Sequence, residues 1–156
     1  MKTILMMVGK TTDSHYAAGI QNYVERTGHY MPFELQIIPE LKNAKNLSEA
    51  QQKTAEGELI LKQVQPSDTV VLLDEHGKEM KSIELAQWLE QKRNTARRLV
   101  FVIGGPYGFS QAVYARANEM LSMSKLTFSH QMIRLIFTEQ LYRACTIIKG
   151  EPYHHE

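Results

Sequence analysis

Gly104-Gly105-Pro106-Tyr107-Gly108 follows an apolar run and precedes a helical segment, a place where backbone free of side chains can approach a ligand closely. The spacing is G-G-x-x-G after a fourth strand, not the G-x-G-x-x-G dinucleotide fingerprint after a first. No Gly-Lys-Ser/Thr follows, so neither a usual nicotinamide or flavin enzyme nor a P-loop is implied. A tight turn without a ligand reads this loop equally well when it is taken alone. His130, His154 and His155 are the histidines of the C-terminal half, and imidazole titrates where acid–base chemistry needs it. The alternatives are a solvated terminal residue for His154 and a structural cap for His130. Arg134, one turn after His130, can bind a phosphate or a carbonyl; Arg143 can do the same or pair with Glu139 four residues earlier. His15, His29 and His76 read as surface residues. There is no C-x-x-C or Cys/His cluster, so no metal is expected, and the lone Cys145 points to a reducing cytoplasm.

Charge narrows the partner. The 156 residues carry a formal charge of only +1, which excludes a uniformly basic RNA binder. Residues 1–90 hold nine basic and thirteen acidic side chains (−4), residues 91–149 nine basic against two acidic (+7), and the last seven residues add −2. Nine cations in one stretch form the footprint of a phosphate-bearing partner, or else a solvated basic face.

The elements that must position these groups follow from the apolar pattern. Residues 3–8, 33–38, 69–73, 98–103 and 120–126 read as strands, with a turn around Gly77 at 74–78. Helices are expected from a Ser14 cap to Gly28, from Ser48 to Pro66, after a Ser82 cap, over 110–118, and from about His130 to Lys149. Alternating strands and helices imply one α/β domain over 1–156, with a mostly parallel sheet and helices on both faces. Three loops then follow strand ends, 73–78, 104–108 and 123–129, where an open sheet gathers its ligands. The apolar run at 1–8 reads as a first strand rather than a secretory signal, and no run is long enough to span a membrane. Apolar residues from Met132 to Ile148 cover more than half of the last helix, so it is either deeply buried or meets a second subunit; a homodimer is the favoured reading.

Taken together, Leu73-Asp74-Glu75-His76-Gly77-Lys78, Phe101-Val102-Ile103-Gly104-Gly105 with Gly108, Leu121-Ser122-Met123-Ser124-Lys125-Leu126-Thr127, His130, Arg134, Glu139-Gln140-Leu141-Tyr142-Arg143-Ala144 and Tyr153-His154 carry a resemblance. The chain resembles the SPOUT-class methyltransferases that modify N3 of a pseudouridine in the helix 69 loop of 23S ribosomal RNA. The resemblance implies a deep trefoil knot in the C-terminal half, an obligate homodimer, and S-adenosylmethionine held in the knot. Leu73, Gly104 and Gly105 would then adjoin the adenosyl group, and Met123, Ser124, Lys125, Leu126, Thr127 and Phe128 would hold adenine and ribose. His154 with Tyr153, together with His130 and Arg134, are the catalytic candidates; Arg134, Arg143 and His155 are the RNA-contacting ones. Many relatives carry Arg or Lys where this chain has His155. The expected partner is 23S RNA in the 70S ribosome or large subunit. A non-catalytic ribosome-binding module and a methyltransferase acting on tRNA are the alternatives.

Overall fold

Alternation along the strands decides which side chains enter which layer. In β1 (Lys2–Val8), Ile4, Met6 and Val8 enter one core, while Leu5 and Met7 enter a second core on the opposite face. β4 (Arg98–Ile103) repeats the division, with Val100 and Val102 on one side and Leu99, Phe101 and Ile103 on the other. Strands buried on both faces are the signature of a parallel sheet covered twice. With β2 (Phe33–Ile38), β3 (Thr69–Glu79) and β5 (Glu119–Ser122) they form a five-stranded sheet in the order β2-β1-β4-β3-β5, every pairing parallel. The structure is a computed structural model and describes residues 1–155.

On one face lie α1 (Ser14–Gly28), α3 (Ser82–Thr95) and α5 (Met132–Lys149); on the other lie α2 (Glu49–Gln63) and α4 (Gln111–Arg116). α5 packs against both α1 and α3 and drives Phe137 onto Phe101, ring centroids 4.7 Å apart. Each of these buried rings contributes about 2–3 kcal/mol of hydrophobic stabilisation. Ile133, Ile136, Ile147 and Ile148 stay only half-buried, so the breadth of the apolar face on α5 is not used up by its own chain. No helix among the described residues is long and apolar enough to cross a membrane.

The boundaries differ from expectation in instructive places. Asp13, not Ser14, caps α1, because its carboxylate accepts from both the His15 and Tyr16 amides. Lys81, not Ser82, precedes α3; Glu84 accepts from its amide, and the Ser82 hydroxyl instead donates to Gln140. β3 does not end at Leu73. Leu73 and Lys78 both pair with Leu121, so the intervening residues bulge out and the strand resumes to Glu79. β5 stops at Ser122 because side chains there take over the backbone's partners: Ser122 donates to the Ser124 carbonyl and Ser124 accepts from the Leu126 amide. α4 covers only Gln111–Arg116, with Ser110 as its cap, and α5 begins at Met132 rather than His130.

Candidate active site

Register brings the carboxyl ends of the central strands level: Met7 pairs with Ile103, Leu72 with Val102, and Leu73 with Leu121. Beyond these ends the three expected loops converge on one cavity of about 620 Å³, a size within the roughly 300–1,000 Å³ of small-molecule sites. Leu73, Gly104, Gly105, Met123, Ser124, Leu126, Thr127 and Phe128 all line it, and so does His130. Lys125 is exposed and lies outside the lining.

The glycine loop is a tight turn, the Gly108 amide donating to the Gly105 carbonyl at 3.2 Å, with Gly108 at φ +82° where other residues are strained. Gly105 lines the cavity and is constrained on its other side as well. A Cβ there would lie 2.6 Å from Glu56 Oε1, so the bare side of Gly105 faces a carboxylate on α2. At Gly104 a Cβ would meet the Phe109 ring at 3.1 Å. Both glycines let the loop pack down on its own support.

The bulge of β3 contributes groups that the sequence reading left aside. Asp74 accepts from the Tyr114 hydroxyl at 2.5 Å and from the His76 amide at 2.9 Å. Burial alone would raise the Asp74 carboxyl, but these hydrogen bonds outweigh it and hold the group below its usual range. The Tyr114 phenol is pushed up by burial and by the same bond. His76, expected at the surface, is exposed yet borders the cavity. Lys53 and Ile133 also border it. Nothing in sequence spacing joins Asp74 to Tyr114, which stand 40 residues apart.

His130 is half-buried at the cavity; burial, then the Arg134 charge, lowers its proton affinity and favours the neutral ring. Arg134 departs from expectation. It is 0% exposed, and its guanidinium donates to the carbonyls of Val8, Gly9 and His130 and to the Thr11 hydroxyl. Those donors are spent inside the chain, where they fasten the start of α5 to the end of β1, so Arg134 presents no free cation to a phosphate.

The remaining candidates gather at the far end of α5 and on the tail that follows it. Arg143 donates to Glu139 and lies over the Tyr153 ring, and Arg143 Nη1 is 3.0 Å from His154 Nδ1. Tyr153 donates to Glu139 at 3.1 Å, and burial leads the causes that push its phenol up. Tyr30 donates to Glu151, a bond that pushes the phenol up to about 12 and ties the tail to α1's end. His155 is exposed. From Ile133 at the cavity to Arg143 is ten residues of helix, about 15 Å, and neither Tyr153 nor His154 lines the cavity. One chain therefore does not unite the catalytic candidates. Among the described residues no group of three or more His, Cys, Asp or Glu could hold a metal ion.

A parallel sheet with a ligand-sized cavity at its carboxyl ends, walled by a glycine turn and a main-chain-rich loop, defines an α/β protein built to hold a small molecule. The sequence profile described as "Predicted SPOUT methyltransferase" matches residues 1–154, and the chain belongs to that methyltransferase family. It is similar to proteins named Ribosomal RNA large subunit methyltransferase H from Bacteroides fragilis strain YCH46 (63% identical), Bacteroides thetaiotaomicron (62%) and Porphyromonas gingivalis strain ATCC 33277 (52%), each alignment covering 100% of both chains. A solved structure titled as a probable methyltransferase from Bordetella pertussis Tohama I covers 92% of this chain and 94% of its own, with a TM-score of 0.56 at 11% identity, and so shares the fold.

Proposed function

We propose that the protein is a large-subunit ribosomal RNA methyltransferase that uses S-adenosylmethionine to methylate N3 of a pseudouridine in the helix 69 loop of 23S RNA. The observation that carries this is the convergence of all three loops on one cavity. The names of the full-length relatives support the RNA substrate; of the cations in 91–149, Lys92, Arg98 and Arg143 pair with carboxylates, Arg93 and Arg116 donate to carbonyls and Arg134 is buried, which leaves Arg97, Lys125 and Lys149 exposed to a phosphate. An rRNA substrate supports a cytoplasmic reaction.

The residues fit the donor. Leu73, Met123, Leu126 and Phe128 offer apolar surface to a flat base, and the irregular backbone after Ser122 offers main-chain groups to its edge. Bound there, S-adenosylmethionine supplies an electrophilic methyl group. The acceptor is an imide nitrogen, a poor nucleophile until it loses its proton, which leaves negative charge on the neighbouring carbonyl oxygens. His130 borders the cavity as a neutral imidazole able to take a proton. Arg143 only donates, so its contact with His154 Nδ1 leaves Nε2 as the ring nitrogen free to donate to such an oxygen.

His154 lies in the tail beyond α5, next to Arg143 and outside the lining of its own cavity, so in this reading it acts in a homodimer, on the cavity of the second subunit. The half-buried isoleucines of α5 support that dimer. The exposed His155 meets RNA phosphate at the same edge, where Arg143 is held by Glu139 and His154. A C-terminal trefoil knot is supported by the return of α5 to the end of β1, where Gln131 bonds both Lys10 and Thr12. Titrating the pure protein with S-adenosylmethionine in a calorimeter tests the cavity: saturable binding is expected, and its absence removes the enzyme reading in favour of a ribosome-binding module.

A further inference from the structure

Glu56, on α2, is 5% exposed. Its Oε2 accepts from Gln52 at 3.1 Å, while its Oε1 is buried with no hydrogen-bond partner among the described residues. A buried carboxylate oxygen left unpaired costs on the order of 1–3 kcal/mol or more, so its retention calls for a compensating charge. The carboxylate lies against the bare side of Gly105, whose other surroundings line the cavity, and Lys53, one turn earlier on α2, lines the cavity itself. Glu40 is the second carboxylate close by. A carboxyl group therefore stands directly behind the glycine turn, in a region of low dielectric where, when ionised, it acts across a single peptide unit.

Resting on the reading of the cavity as the S-adenosylmethionine site, we propose that Glu56 is a positioning residue that selects the cationic methyl donor over the neutral-sulfur product. The donor's sulfonium carries a positive charge that the product lacks, because the carbon–sulfur bonding pair stays on sulfur when the methyl group leaves. A carboxylate behind Gly105 favours the first species and is indifferent to the second, so transfer itself loosens the hold on the spent ligand. Burial raises the proton affinity of Glu56, and Glu40 adds to it, and a cation in the cavity favours its ionised form.

The test is calorimetric titration of wild type, Glu56→Gln and Glu56→Asp with S-adenosylmethionine and, separately, S-adenosylhomocysteine. Glu56→Gln is expected to weaken donor binding by about tenfold while product affinity changes by less than about twofold. Glu56→Asp, which keeps the charge, retains most of the preference. Equal loss for both ligands in Glu56→Gln means that the residue only supports the loop and overturns the proposal; so does an unchanged ratio. Wild-type protein that binds neither ligand overturns the reading of the cavity as well, which separates the two failures.

Discussion

Arg143 Nη1 sits 3.0 Å from His154 Nδ1, while the same guanidinium holds Glu139. The contact orients the imidazole; Nε2 is buried against its own chain and without a partner among the described residues, so the tail must shift before this atom can reach a substrate. A donor fixed in this way is worth most where charge develops in the transition state.

Replacing His154 with alanine is therefore expected to lower kcat by about 100-fold, with affinity for S-adenosylmethionine unchanged. Parallel steady-state kinetics and calorimetry check it. A fall in donor affinity with kcat intact would contradict the assignment.

Arg134→Ala should act on stability. Removing the guanidinium strands the Val8 and Gly9 carbonyls and opens a cavity under α5, a loss of about 3 kcal/mol. Urea denaturation reads it directly. If Arg134 served RNA phosphate instead, the midpoint would hold and only RNA affinity would fall.

How much of this was legible beforehand follows from range. The strands at 3–8, 33–38 and 98–103 are apolar runs closed by Gly or Pro, and a local pattern was enough to place them. The glycine turn and the loop after β5 were visible for the same reason, and together they mark most of the cavity wall. The bulge at 74–77 was not visible, because its polar residues look like a turn unless Leu121 is known to pair on both sides of it. Nor could spacing show Arg134 as a buried clamp, since its acceptors stand about 125 residues away. Glu56 carries no signal in the sequence, because the glycine it lies against stands 49 residues further along the chain.

Glu56 also makes a pH prediction. Its carboxyl has a raised proton affinity in the folded chain, so its contribution to stability is fully present below the unfolded value of about 4.3 and is lost as pH rises through the folded one. Glu56→Gln should melt higher than wild type at pH 8, the gap closing toward pH 4. Thermal melts across that range, without ligand, decide the matter; a gap that widens in acid would show the sign to be wrong.

Tyr114→Phe removes the hydroxyl that Asp74 accepts at 2.5 Å. The expected cost is about 1–2 kcal/mol, with weaker binding of S-adenosylmethionine because the bulge forms part of the cavity wall. Denaturation and calorimetry on one preparation should show both losses; loss of stability with full affinity would detach the bulge from the site.

The central claim is methyl transfer to large-subunit RNA. The direct measurement is incubation of pure protein with methyl-labelled S-adenosylmethionine and 70S ribosomes lacking the modification, followed by mass-spectrometric mapping of the labelled nucleoside. The account predicts label on N3 of a pseudouridine in the helix 69 loop of 23S RNA. Absence of label, or label confined to tRNA, would contradict it.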